Sequence, residues 1–395
     1  MVDEVLEFLR LDSLADEQNP LYKPDAVFID GTLGTGGHTL AMLRAHPTCR
    51  VLGFDRDAES QKFALQRIHD AGFGGRVTPV NGDFRDAPEL LEPFFDNQKV
   101  GADGRPISRI DGALVDAGMS LFQISWAERG LSFQNDGPLD MRYNRTTGPS
   151  AYDLVNGLSV NELEDLLFKL ADERWARRIA TFIAEQRRTH PIATTSELAK
   201  IVENAIPAGV RHESKVHPAT KTFAALRLAV NDEFWALDTG SEALCSVLAP
   251  TARLVVLTYS SNEDRTIKRT FRRLAGRVEG IESEPRRTRP RKRATFSQKS
   301  HEAGAMRSSL AQLFPIGEKS NKNPLQLPFE MAQSRGNPEI PVHPRFGASG
   351  QTWAVKIITP KPLVPTDAEI AANPLARSCK LRAVEKASLI EKSGF

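Results

Sequence analysis

Asp30, the glycines at 31, 34, 36 and 37, His38 and Asp55 form the densest group of chemically suggestive residues in this 395-residue chain. Glycines that follow a strand let the backbone approach a ligand closely, and the helix after them offers free N–H groups. An acid about twenty residues further on, at the end of the next strand, accepts the hydroxyls of a ribose. Asp55 stands nineteen residues after Gly36, which meets that spacing. The chemistry suggested is capture of a nucleoside.

Which nucleoside is a narrower question. A dinucleotide fingerprint places a third glycine where this chain has Thr39, and no Gly-Lys-Ser/Thr follows to complete a P-loop. Neither phosphate cradle is whole. S-adenosylmethionine has no phosphates to cradle, and its methionine part can lie along such a turn with His38 at its polar end. The bland reading is a tight strand–helix turn with no ligand, His38 capping or packing the helix.

The elements that must position these residues alternate in the α/β manner. "AVFID" (26–30), "RVLGFD" (50–55), "RVTPVNGD" (76–83) and "GALVDAG" (112–118) read as buried strands, with "HTLAMLRAH" and "AESQKFALQRIHDA" as helices between them. This repetition implies right-handed crossovers and a parallel sheet. Ligands on such sheets sit beyond the carboxyl ends of the strands, where Asp30, Asp55, Asp83 and Asp116 all fall. From 124 to 216 the pattern turns helical, with capping spacings at Ser159/Glu162 and Thr194/Glu197. The helix "ATKTFAALRLAVNDEFWAL" then leads back to a strand, "ARLVVLTY" (252–259). The expected organisation is a sheet domain at 1–123 and 217–275, a helical insertion at 124–216, an irregular basic excursion at 276–350, and a final strand "TWAVKIIT" with a basic tail at 351–395.

Composition bounds the class. Hydrophobic residues make up 40% and charged residues 26%, as in globular proteins. No apolar run approaches the roughly eighteen residues of a spanning helix, so no membrane is expected. Three distant cysteines without CxxC spacing argue against a disulfide framework or a zinc site. The amphipathic N-terminus "MVDEVLEFLRL" is acidic, unlike a signal or transit peptide. Net charge is only +2, yet "RRTRPRKR" at 286–293 is nearly all cationic. That run suits RNA phosphate or, equally, a solvated loop.

Five further segments carry a resemblance: "DAGMSLFQISWAERGLSFQNDGPLDMRYN", "ADERWARRIA", "HPATKTFAALRLAVNDE", "LTYSSNEDRTIKR" and "NPLARSCKLRAVEK". With "DGTLGTGGHT" they resemble, in order, the bacterial small-subunit rRNA (cytosine-N4)-methyltransferase family, over about residues 1–270 and 350–388. The resemblance implies a Rossmann-like methyltransferase sheet with an inserted all-helical domain, and S-adenosyl-L-methionine as cofactor. It places cofactor contacts at Gly36, Gly37, His38, Asp55, Phe84, Asp116 and Gln123. It implies a substrate of small-subunit ribosomal RNA within an assembling subunit, alongside assembly factors; neither DNA nor a metal is expected.

Transfer to an exocyclic amine needs an acceptor for its proton, and Asp116 is the first candidate, its bland role being a loop cap. Asp140 is the second, with Arg142 beside it as an RNA-positioning or structural group. His217, Lys221, Arg227, Asn231, Arg265 and Arg377 are expected on the RNA side, joined by Arg286 and Arg287 of the cationic run. Trp126 and Trp175 fit base stacking or core packing. The family's Ser-Phe-His-Ser-Leu-Glu-Asp-Arg is Thr258 to Arg265 here, with Tyr259 for the phenylalanine and Ser260 for the histidine; Leu121 and Asn144 depart as well. These departures suggest an organellar member in the mitochondrial matrix, with a plastid or the bacterial cytoplasm as alternatives. They also keep open a second class of function, an assembly factor that retains the fold and no longer catalyses.

Overall fold

A computed structural model describes residues 1–118, 123–124, 126–213, 216–276 and 355–387. The chain opens with α1 (Val2–Phe8) and α2 (Leu11–Ala15), then alternates β1 (Val27–Asp30), α3 (Gly37–Ala45), β2 (Arg50–Asp55), α4 (Ala58–Asp70), β3 (Val77–Asn81), α5 (Ala87–Phe95) and β4 (Ile110–Asp116). Helices follow: α6 (Ala151–Gly157), α7 (Val160–Ala171), α8 (Ala176–Gln186), α9 (Thr195–Ala205), α10 (Ala208–Glu213), α11 (Thr220–Val230) and α12 (Glu233–Val247). β5 (Leu248–Thr258), α13 (Ser261–Leu274), β6 (Val355–Ile357), α14 (Asp367–Ala372) and β7 (Lys380–Lys386) complete it.

The strands form one seven-stranded sheet in the order β3-β2-β1-β4-β5-β7-β6. β1 to β5 are parallel, and β7 runs antiparallel to both its neighbours. β1 is buried along its whole length and β4 up to its terminal acid, as expected of strands covered on both faces. α5, α12 and α13 pack one face through Leu91, Leu244 and Phe271. α1 to α4 cover the other through Val5, Leu14, Leu43 and Ile68. The chain reverses its strand order between β1 and β4, which opens a crevice at their carboxyl ends.

A second core holds α6 to α9 and α11 together, with Leu154, Leu167, Ile183, Val202 and Leu226 fully or nearly fully buried. Ser150, Ser159 and Thr194 cap α6, α7 and α9 through their hydroxyl oxygens, the first two in complete capping boxes. Two long helical runs are broken. Asp172 takes a left-handed conformation (φ 48°) between α7 and α8, and Asp232 does so (φ 51°) between α11 and α12. α11 therefore belongs to the helical layer, and the return to the sheet falls at Asn231–Asp232, not at 217. The segment expected as a tail supplies β7, which pairs with β5 and sends Leu381 and Ala383 into the core on one face of the sheet and Val384 into the core on the other. Among the described residues no helix is long and apolar enough to cross a membrane. The 277–354 segment, with Arg286 and Arg287, lies outside the described residues, as do Leu121 and the closing residues 388–395.

Candidate active site

The crevice has a volume of about 660 Å³, within the range of small-molecule pockets. Its floor is the turn after β1. Gly36 adopts φ +76° to start α3, and a Cβ there would lie 3.0 Å from Ile68, so both conformation and space select glycine. The Gly34 N–H donates to Asp55 Oδ2 (2.9 Å), and the Asp57 N–H donates to Oδ1 (2.8 Å). Thr39, at the position of the missing third glycine, donates its hydroxyl to buried Asp30 Oδ2 (2.7 Å). Burial raises the Asp30 pKa, against the hydrogen bonds of Thr39 and the charge of His38. Burial also dominates at Asp55, where the charges of Asp57 and Asp30 assist it and backbone N–H groups oppose it; the carboxyl is lifted to about 7.

His38 stands over this turn with Nε2 3.4 Å from Asp116 Oδ2. Burial disfavours its charged form, but the hydrogen bond and charge of Asp116, with Asp30 behind, outweigh burial and raise its pKa. Its Nδ1 is buried and has no partner among the described residues. Asp116 ends β4; its own N–H donates to Thr32 Oγ1 (2.7 Å), and the Tyr259 hydroxyl donates to Oδ1 (2.8 Å). Phe84 closes the far wall, its ring against Gly240 of α12, where a Cβ would lie 2.2 Å from it.

Of the residues expected at a cofactor, Gly37, His38, Asp55, Phe84, Asp116 and Gln123 line this one crevice, with Gly36 in the turn beneath. Gln123 is fixed by donating to Asp57 Oδ2 (3.1 Å). The substrate-side expectations divide. Asp140 does not reach the crevice: it is clamped by Arg142 (2.8 and 2.9 Å) and flanked by Arg145, a closed ion pair that leaves neither Asp140 nor Arg142 at the reacting position. Asn231 is buried as a connector, accepting from the Tyr143 N–H (2.8 Å) and donating to the Met141 carbonyl (2.8 Å). Arg227 reaches the crevice wall but pairs with Glu233 (2.8 Å), which also accepts from Tyr143 Oη (2.9 Å). Burial is strong there, yet the Glu233 charge more than offsets it and raises the Arg227 pKa.

His217 stacks on Phe133 (centroids 4.4 Å) and pairs with Glu203 (2.8 Å) at the surface of the helical layer. Lys221, Arg265 and Arg377 are exposed. Trp175 packs on the helical core, while Trp126 is 37% exposed with the Arg129 guanidinium 5.7 Å from its ring centre. Sequence reasoning missed the Arg129–Asp57 pair (2.7 Å), the Arg56–Asp83 pair (2.8 Å) and the Tyr259 hydroxyl. Only Tyr259 carried a local signal, because it lies just beyond the strand that pairs with β4.

A parallel sheet whose order reverses between β1 and β4, with antiparallel β7 set between β5 and β6 and a glycine turn at the crevice, defines a Rossmann-like class I methyltransferase fold. The chain belongs to the MraW methylase family, whose pattern it matches over residues 1–305. It is 37% identical over 387 residues to the ribosomal RNA small subunit methyltransferase H of Geobacter sulfurreducens, covering 98% of this chain and 97% of that protein. The protein of the same name from Symbiobacterium thermophilum is 42% identical over 254 residues, 64% of this chain and 76% of that one.

Proposed function

We propose that this protein transfers a methyl group from S-adenosylmethionine to the N4 amine of a cytosine in small-subunit ribosomal RNA, within an assembling subunit and among its assembly factors. The carrying observation is Asp116, a crevice-facing carboxylate at the carboxyl end of β4, beside a turn that fits a nucleoside. The fit to the cofactor rests on two features: the orphaned, buried Nδ1 of His38 and the Asp55 carboxylate at the end of β2. Asp55 would take the ribose hydroxyls, Phe84 the base, and His38 with the Gly36–Gly37 turn the amino-acid end. When bound, the cofactor supplies an electrophilic methyl carbon on a positively charged sulfur.

The chain's residues do the rest. The cytosine amine is a weak nucleophile because its lone pair is delocalised into the ring, so it must be held in line and relieved of a proton. Holding the partners together can supply up to about 7–11 kcal/mol. Asp116 accepts the proton that leaves N4. The base must be splayed from its RNA to enter the crevice, and exposed Lys221, Arg265 and Arg377 suit the flanking phosphates. The departures at Ser260 and Asn144 have local explanations: Ser260 caps α13 in a full capping box, and Asn144 accepts from Thr146 (3.0 and 2.6 Å). Neither Ser260 nor Asn144 lines the crevice, while Asp116, His38 and Asp55 all do, which favours an active enzyme over a scaffold that has lost catalysis.

The test is transfer of a deuterated methyl to precursor small subunits, read by nucleoside mass spectrometry, with Asp116→Ala as control. Labelled N4-methylcytidine with the parent protein and a loss of at least about a hundredfold in the variant support the reading. Unlabelled cytidine with both contradicts it. For the compartment, bacterial relatives favour the alternative of a bacterial cytoplasm over the mitochondrial matrix; imaging a tagged chain in its own cells separates the two.

A further inference from the structure

The site holds a second residue aimed at the proton acceptor. β5 pairs with β4 so that Leu257 sits opposite Asp116, which brings Tyr259, two residues on, to the same edge of the crevice. Its hydroxyl donates to Asp116 Oδ1 at 2.8 Å, while His38 Nε2 faces Oδ2 at 3.4 Å. The Tyr259 backbone is itself fixed, because its N–H donates to Glu263 Oε2 (2.7 Å), the same carboxylate that closes the α13 capping box. Its ring lies beside Gly118, where a Cβ would be 3.5 Å away, and the residue as a whole remains 36% exposed.

A carboxylate at the end of a strand, with its side chain 29% exposed, has several rotamers open to it unless donors hold it. We infer that Tyr259 is a positioning residue for Asp116, its hydroxyl holding the carboxylate in the orientation that receives the amine proton and its ring forming the wall against which the target base lies. Burial, followed by the neighbouring Asp116 charge, raises the phenol pKa, so the hydroxyl stays a donor throughout the working range. The ring suits a base because every base has a π-face and aromatic side chains stack on it without sequence preference. The inference rests on the reading of Asp116 as acceptor.

Two variants separate the parts. Tyr259→Phe keeps the ring and removes the donor; kcat for methyl transfer should fall about tenfold, with RNA KM, cofactor affinity and melting temperature unchanged. Tyr259→Ala removes the ring as well and should also weaken binding of cytidine 5′-monophosphate to the protein loaded with S-adenosylhomocysteine, by about tenfold or more. A Phe variant with parental kcat overturns the positioning role; parental nucleotide affinity in the Ala variant overturns the wall. Absence of transfer by the parent protein would count against the proposed reaction instead, and the nucleotide-binding arm, which needs no turnover, still decides the role of the ring.

Discussion

At the scale of single residues, the carboxylates of the crevice differ in their surroundings. Asp55 is held at about 7, and in the proposed complex the ribose hydroxyls would donate to its ionised form. Cofactor binding near neutrality should therefore release protons, and affinity should decline as pH falls through about 7. Calorimetry in buffers of different ionisation heat measures this, and a proton-neutral binding event at pH 7 would contradict it. Without cofactor the sign for stability is opposite. The folded carboxyl holds its proton more tightly than an unfolded one at 3.8, so its contribution is full below that value and is lost as pH rises through about 7. The melting temperature should fall over that interval and less steeply in Asp55→Asn. Phe84 offers a steric test. Gly240→Ala would drive a methyl into its ring, overpacking that typically costs about 1–3 kcal/mol. Cofactor affinity should drop while the far-ultraviolet spectrum stays unchanged; undiminished affinity would mean that Phe84 does not face the ligand.

At the scale of elements, the helical layer is tied to the sheet by polar pairs instead of a shared apolar core. Arg129, 3% exposed, reaches Asp57 at the start of α4, and Arg56 after β2 donates to the Asn231 carbonyl (2.9 Å) between α11 and α12. Arg129→Ala leaves a buried carboxylate unpaired, a change that costs about 3–5 kcal/mol. A clear fall in the urea midpoint is expected, and an unchanged midpoint would show the pair to be dispensable. α13 presents Arg265, Lys268 and Arg272 on its exposed side, starting at the crevice lip. Neutralising these three should weaken RNA binding and flatten its salt dependence by about 0.7 in log–log slope per lost phosphate contact on single-stranded RNA. An unaltered slope would assign them to solvent.

At the scale of the whole molecule, the parallel sheet was legible because buried strands carry continuous apolar runs that end in acids. Asp30, Asp55 and Asp116 fall at strand ends for that reason. Asp83 was legible as a strand end but stands two residues past β3, capping the turn that carries Phe84. Local pattern could not reveal that β7 inserts between β5 and β6, since strand order depends on pairings more than a hundred residues apart. Nor could it show the breaks at Asp172 and Asp232, where non-glycine residues take left-handed conformations inside amphipathic runs. Asp140 looked catalytic from its place in a motif, and only the fold reveals its closure by Arg142. In the proposed reaction the β1–α3 turn and Asp55 together hold one S-adenosylmethionine. Titration calorimetry on the full chain tests it most directly: one equivalent should bind, and Asp55→Ala should reduce affinity at least tenfold without loss of fold. No heat of binding, or equal affinity in the variant, would contradict it.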